Sequence, residues 1–170
     1  MGKTQINLIE TQAIYALRVS GRTVGSILSS KGELRFIGVV EKAGEQEATM
    51  RIFPEFCAGL KGITDFSHLI VLYWIHMRDN EEERGTLLVF PRRHAVNVEM
   101  GVFSTRSPSR PNPIGLCVVG LLKVEECTLT VKELDALEGS PIIDVKPYIP
   151  RADSIPNARV PDWTWHGPKT

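Results

Sequence analysis

The chain has 170 residues, 42% of them hydrophobic, and its twenty basic and twenty acidic side chains cancel to a formal net charge of zero. That length and apolar content suffice for one packed core and exclude collagen-like, low-complexity and disulfide-dense chains, while the charge balance gives no global attraction to a polyanion. The distribution is less even: residues 84–110 hold five arginines against one acid, Glu99, a local net charge of +4, which reads either as a face that steers phosphates or as a solvated arginine surface.

In chain order, β-type segments recur at residues 13–19, 34–40, 48–53, 69–75, 86–90, 114–122, 128–134 and 142–145, with turn residues between them. Only residues 54–60 have a helical start, with Pro54 in the first turn and Gly62 as a stop, and that helix is short. The longest apolar run, residues 69–75, falls far below the ~20 residues of a membrane-spanning helix, so a soluble protein with no membrane partner is expected. The DNEEER stretch at 79–84 reads as a solvated loop and is assigned no chemistry. Many short strands without alternating long helices predict a mainly β fold, a single β-barrel with few short helices rather than a doubly wound sheet. No G-x-G-x-x-G follows a strand, so the usual Rossmann signature is missing.

The three cysteines, Cys57, Cys117 and Cys127, are odd in number and form no CxxC pair, and no signal-peptide pattern opens the chain. A reducing cytoplasm is the simplest compartment for them. The four histidines, His68, His76, His94 and His166, lack zinc-type spacing, so no metal is expected.

Residues 101–115, GVFSTRSPSRPNPIG, place Arg106, Arg110 and Asn112 among three prolines without any acid. Pro108, Pro111 and Pro113 fix their own φ and bias the residues before them toward extended backbone, so neither a helix nor a central strand fits. Arg106 and Arg110 can be at most ~13 Å apart along an extended chain, close enough to address one nucleotide-sized ligand. The alternative is a linker or docking segment, since PSRP at 108–111 is formally a PxxP sequence. Downstream, Asp144, Lys146 and Tyr148 put a carboxylate, an ammonium and a phenol at a strand end that Pro147 terminates. In extended backbone Asp144 and Lys146 share a face, so they serve either a site or each other. At the C-terminus Pro156, Pro161 and Pro168 favour an extended tail, in which Trp163 and Trp165 would share one face, docked on the core or stacked on bases.

The proline-arginine loop, preceded by FPEFCAGLKGITDFSHLIVLYWIH and followed some thirty residues later by EGSPIIDVKPYIP, resembles the TrmO (TsaA-like, YaeB-like) proteins over residues 37–150. That resemblance implies a S-adenosylmethionine-dependent tRNA methyltransferase built on a β-barrel. Such proteins act on N6 of threonylcarbamoyladenosine beside the anticodon and usually form homodimers. It further implies that His76, Met77, Arg106, Leu116 and the stretch Lys132, Glu133, Leu134 and Asp135 line the cofactor pocket. Where family members carry Pro-Arg-Gln in the first barrel hairpin, this chain reads Ala43-Gly44-Glu45-Gln46, which leaves Gln46 as the matching cofactor contact. Glu138 stands where the family has an aspartate before glycine.

The resulting organisation is an N-terminal extension over 1–36 beside the barrel, the barrel over 37–150, and a tail over 151–170, without the second domain of longer members. Asp144 is the leading candidate to orient or deprotonate the acceptor nitrogen, with Lys146 and Tyr148 shaping the local field. Arg92, Arg93 and Arg110 are candidates for RNA phosphate contacts, which would make binding salt-sensitive. Two other readings stay open: a non-catalytic nucleotide- or RNA-binding barrel, and a methyltransferase acting on another substrate.

Overall fold

A computed structural model describes residues 16–19, 22–25, 32–91 and 97–165. The chain divides into two units between Leu34 and Arg35. In the first, β1 (Ala16–Val19) pairs antiparallel with β2 (Arg22–Gly25).

The second unit is a closed barrel of β3 (Gly38–Ala43), β4 (Ala48–Ile52), β5 (His68–Trp74), β8 (Ile114–Glu125), β9 (Thr128–Lys132) and β10 (Pro141–Pro147). The circular order is β10-β3-β4-β9-β8-β5, and every neighbouring pair is antiparallel. Closure leaves the barrel without an open edge. A separate short ribbon joins β6 (Leu88–Val89) to β7 (Met100–Gly101).

Period-two alternation decides what lies inside. In β5, Leu69, Val71 and Tyr73 are buried, whereas Ile70, Leu72 and Trp74 point outward and are partly covered. Val40, Met50, Ile52, Val119, Leu129, Val131 and Ile142 complete the interior from the other strands. Burying each such side chain contributes about 1.5–3 kcal/mol, so the filled barrel is a packed core. A bulge between Ile142 and Asp144 shifts the β10 register, which sets Ile142 opposite Tyr73 and Asp144 opposite Leu72.

Several expectations are corrected. The 54–60 segment is a 3-10 helix (Pro54–Leu60), and Gly62, at φ 82°, opens a further turn at Ile63–Asp65. Strand β9 stops two residues before the predicted boundary, because Glu133 takes a φ of 65°. The DNEEER stretch is not an open loop: Asn80 caps one helical turn, α1 (Glu81–Arg84), by accepting from the Glu83 amide. A 3-10 turn at Val102–Ser104 interrupts the proline-arginine loop.

The tail is not continuously extended either. Pro150 starts the short helix α2 (Pro150–Asp153), and a 3-10 turn covers Asp162–Trp165, so the two tryptophans do not share a strand face. Finally, Cys57 and Cys127 are disulfide-bonded across a sequence separation of 70 residues. The bond ties the helix after β4 to the two-residue turn joining β8 to β9, where Glu126 has a φ of 51°. Among the described residues no helix is long and apolar enough to cross a membrane.

Candidate functional site

Antiparallel order brings the C-terminal ends of β3, β5 and β9 to one rim, together with the N-terminal ends of β4, β8 and β10. Six of the candidate residues therefore converge there. Gln46 is exposed at the β3–β4 hairpin tip, His76 and Met77 form the turn after β5, and Glu133, Leu134 and Asp135 leave β9. Lys132 ends β9 opposite Gly120, and its methylenes lie over that glycine, whose missing side chain makes room for them.

Hydrogen bonds fix this rim from beneath. Ser140, almost fully buried, places Oγ 3.3 Å from His76 Nδ1, while its carbonyl accepts from the Val40 amide at 3.0 Å. The Tyr73 hydroxyl donates to Asp135 Oδ1 at 2.9 Å, and the Cys117 thiol donates to the Glu133 carbonyl at 2.9 Å. Burial, reinforced by the Asp135 charge and hydrogen bond, holds the Tyr73 phenol far above its ordinary range, so it remains a donor. Burial likewise pushes the Cys117 thiol up to about 11: a backbone hydrogen bond from Asp135 opposes the rise, while the Asp135 and Glu133 carboxylates add to it.

Beside the rim, the proline-arginine loop folds back on the outer side of β5 and β8. It borders an open cavity of about 430 Å³ lined by Leu72, Phe103, Arg110, Pro111, Asn112, Ile114 and Leu116. Two chain-neighbour steps join cavity to rim: Leu116 precedes Cys117, and the Pro113 carbonyl accepts from the Ile75 amide beside His76. Phe103 is 78% exposed although the adjacent Val102 is buried, which gives the loop a projecting aromatic ring on an anchored turn. Arg110 supplies part of the anchor, since its guanidinium donates to the Val102 and Thr105 carbonyls. It therefore braces the loop as well as lining the cavity. Arg106 is exposed in the same loop. Arg92 and Arg93 lie outside the described residues.

An ion-paired network supports the loop from α1. Arg78 pairs with Glu83, Arg84 pairs with Asp79 at 2.9 Å, and the Trp74 indole donates to Asp79 at 3.0 Å. Glu83 is held below the usual carboxylate range by a hydrogen bond from Ser109 of the loop and by Arg78. Asp79 is similarly lowered by Arg84 and then Trp74.

Asp144, Lys146 and Tyr148 are not one cluster. Asp144 and Lys146 lie on the outer face opposite Leu72 and Ile70, and they pair with each other at 2.5 Å. Asp144 also accepts from the Val145 amide at 2.9 Å, so both its oxygens are engaged. Tyr148 lies at the opposite rim, where its amide donates to the His68 carbonyl. Asp144 thus flanks the cavity through its strand neighbour Leu72, and Tyr148 is remote from it.

Sequence reasoning missed Tyr73, Cys117, Ser140 and Phe103. The legible signal was a tyrosine inside an apolar strand, because a buried hydroxyl requires a partner. Its partner, 62 residues away, had no local signature.

Residues 40–154 match the family model described as the tRNA-methyltransferase O N-terminal domain. A probable S-adenosyl-L-methionine-binding protein of Methanothermobacter thermautotrophicus is 49% identical over 110 residues, covering 65% of this chain and 75% of the relative. The tRNA (adenine(37)-N6)-methyltransferase of Escherichia coli is 36% identical over 141 residues, covering 81% of this chain but 53% of the relative. Among solved structures, a crystal structure of TrmO superposes with a TM-score of 0.62 at 28% identity, over 76% of this chain and 63% of that one. The chain thus spans about half to two thirds of the length of the latter two.

Proposed function

The chain belongs to the tRNA-methyltransferase O N-terminal domain family, and from that membership we propose that it binds S-adenosylmethionine at the described rim and methylates N6 of threonylcarbamoyladenosine beside the anticodon of tRNA. The observation that carries this reading is that β8 holds Leu116 in the loop-lined cleft on its outer face and, one residue on, Cys117, whose thiol holds the Glu133 carbonyl of the rim. A proposed tRNA substrate argues for the cytoplasm, although the Cys57–Cys127 disulfide removes the cysteine-based support for a reducing compartment.

The donor set fits the cofactor. Glu133 and Asp135 offer carboxylates to ribose hydroxyls or an ammonium, Arg106 offers a guanidinium to a carboxylate, and Leu116, with Ile114, offers an apolar wall. When bound, the cofactor supplies a sulfonium methyl group to a nitrogen nucleophile. The chain's own contribution is to hold donor and acceptor in line within a loop stiffened by three prolines.

Asp144 sits beside Leu72 on the cavity side of the barrel, close to where an acceptor nucleotide entering from the outer face would lie. Its engagement with Lys146 and Val145 suits a group that orients the acceptor nitrogen or takes its proton after Lys146 moves. Tyr148, at the far rim, is better placed for RNA contacts than for chemistry. Arg92 and Arg93 would add phosphate contacts, and Arg110 would do so with the guanidinium N–H groups that its bonds to the Val102 and Thr105 carbonyls leave available. Leu116 and Val118, 49% and 40% exposed on the outer face of β8, give a second copy an apolar surface on which to form the homodimer.

Isothermal titration of the full chain with S-adenosylmethionine tests the cofactor assignment. Saturable 1:1 binding that weakens in Asp135→Ala is expected. A wild-type chain that binds no S-adenosylmethionine would overturn the reading.

A further inference from the structure

Tyr73 lies inside the barrel at the end of β5, 7% exposed, with its hydroxyl directed out of the interior to Asp135. The ring occupies space that only glycine at position 115 leaves open: a Cβ there would stand 2.1 Å from the Tyr73 ring. Two residues along β8, Cys117 points into the same interior and donates to the Glu133 carbonyl. Between these anchors Glu133 adopts a φ of 65°, a backbone state that a non-glycine residue keeps only where its surroundings hold it.

We propose that Tyr73 and Cys117 form an internal floor that positions the 133–135 turn, so that Tyr73 is a positioning residue for the ligand-binding rim rather than a filler of the core. This inference deepens the cofactor reading and rests on it for the identity of the ligand. The floor works through geometry. The phenol fixes the Asp135 carboxylate, the thiol fixes the backbone two residues earlier, and Gly115 allows the ring to reach the rim. Burial and the neighbouring carboxylates keep both groups protonated, and therefore both remain donors. A phenylalanine at 73 would preserve the packing and remove only the anchor.

The test is Tyr73→Phe in the full chain, with Asp135→Asn, which keeps an acceptor oxygen, as the conservative control. Backbone NMR order parameters of residues 133–135 are measured without ligand, and S-adenosylmethionine affinity is measured by titration. In Tyr73→Phe the order parameters of the turn are expected to fall from about 0.85 toward 0.6 while the barrel strands stay unchanged, and Kd is expected to rise about tenfold. Asp135→Asn is expected to keep the turn ordered. Unchanged order parameters at 133–135 in Tyr73→Phe overturn the inference, as does a loss of order spread evenly over the barrel. If the turn loosens but even the wild type binds no S-adenosylmethionine, the positioning role stands and the cofactor reading falls.

Discussion

Gly115 and Tyr73 face each other across the β5–β8 ladder, and the absence of a side chain on one is what seats the ring of the other. The contact lies at the rim, so a packing constraint of the core becomes a constraint on the site. Gly115→Ala is expected to expel or tilt the ring and to destabilise the protein by about 1–3 kcal/mol. A thermal melt measures the cost, and near-ultraviolet circular dichroism reports the displaced tyrosine. A variant with wild-type melting and an unchanged aromatic signal would show that the ring is not confined there.

The disulfide makes a separate prediction. Reducing Cys57–Cys127, or replacing both residues with alanine, is expected to lower stability by about 2–4 kcal/mol, because it frees a long loop of the unfolded chain. Denaturant midpoints with and without reductant check this.

Thiol counting gives the third. Of three cysteines only Cys117 is free, and its raised pKa makes it slow to alkylate near neutral pH. The native protein should release less than one thiol equivalent quickly, one after denaturation, and three after reduction. The same shift sets a pH dependence. The neutral thiol is favoured in the fold, so its contribution is complete below the ordinary 9.0 and is lost as pH rises through about 11. Tyr73 acts in the same sense at still higher pH. Cys117→Val should flatten the part of the stability profile between 9 and 11.

For Asp144 the expected result is a split between chemistry and binding. If Asp144 orients or deprotonates the acceptor, Asp144→Asn should lower kcat by about 10²–10⁴-fold with little change in S-adenosylmethionine affinity. Stability should move by less than about 1 kcal/mol, because the Lys146 partner is exposed. Full turnover in the variant would remove Asp144 from the mechanism.

Much of the barrel was legible because its signals are local. Turn residues bounded the strands, Pro54 and Gly62 framed the 54–60 helix, and the three prolines marked the loop between the Val102–Ser104 turn and β8, although that turn and the first residues of β8 fall inside the span read as neither helix nor central strand. What stayed hidden depends on pairing between distant segments. The disulfide, the Tyr73–Asp135 bond and the β6–β7 ribbon each join residues with no shared local pattern. Asp144, Lys146 and Tyr148 are close in sequence, but a strand rises about 3.3 Å per residue, so the four-residue step from Asp144 carries Tyr148 away from the cavity to the opposite rim. The Asp144–Lys146 pairing, in contrast, follows directly from two-residue spacing in a strand.

The central claim is methyl transfer to a modified adenosine in tRNA, and the most direct measurement incubates the purified chain with methyl-labelled S-adenosylmethionine and tRNA prepared with or without threonylcarbamoyladenosine. The account predicts label in the modified tRNA alone, located on N6 of that nucleoside. Equal label in both tRNAs, or none in either despite saturating cofactor, would contradict it.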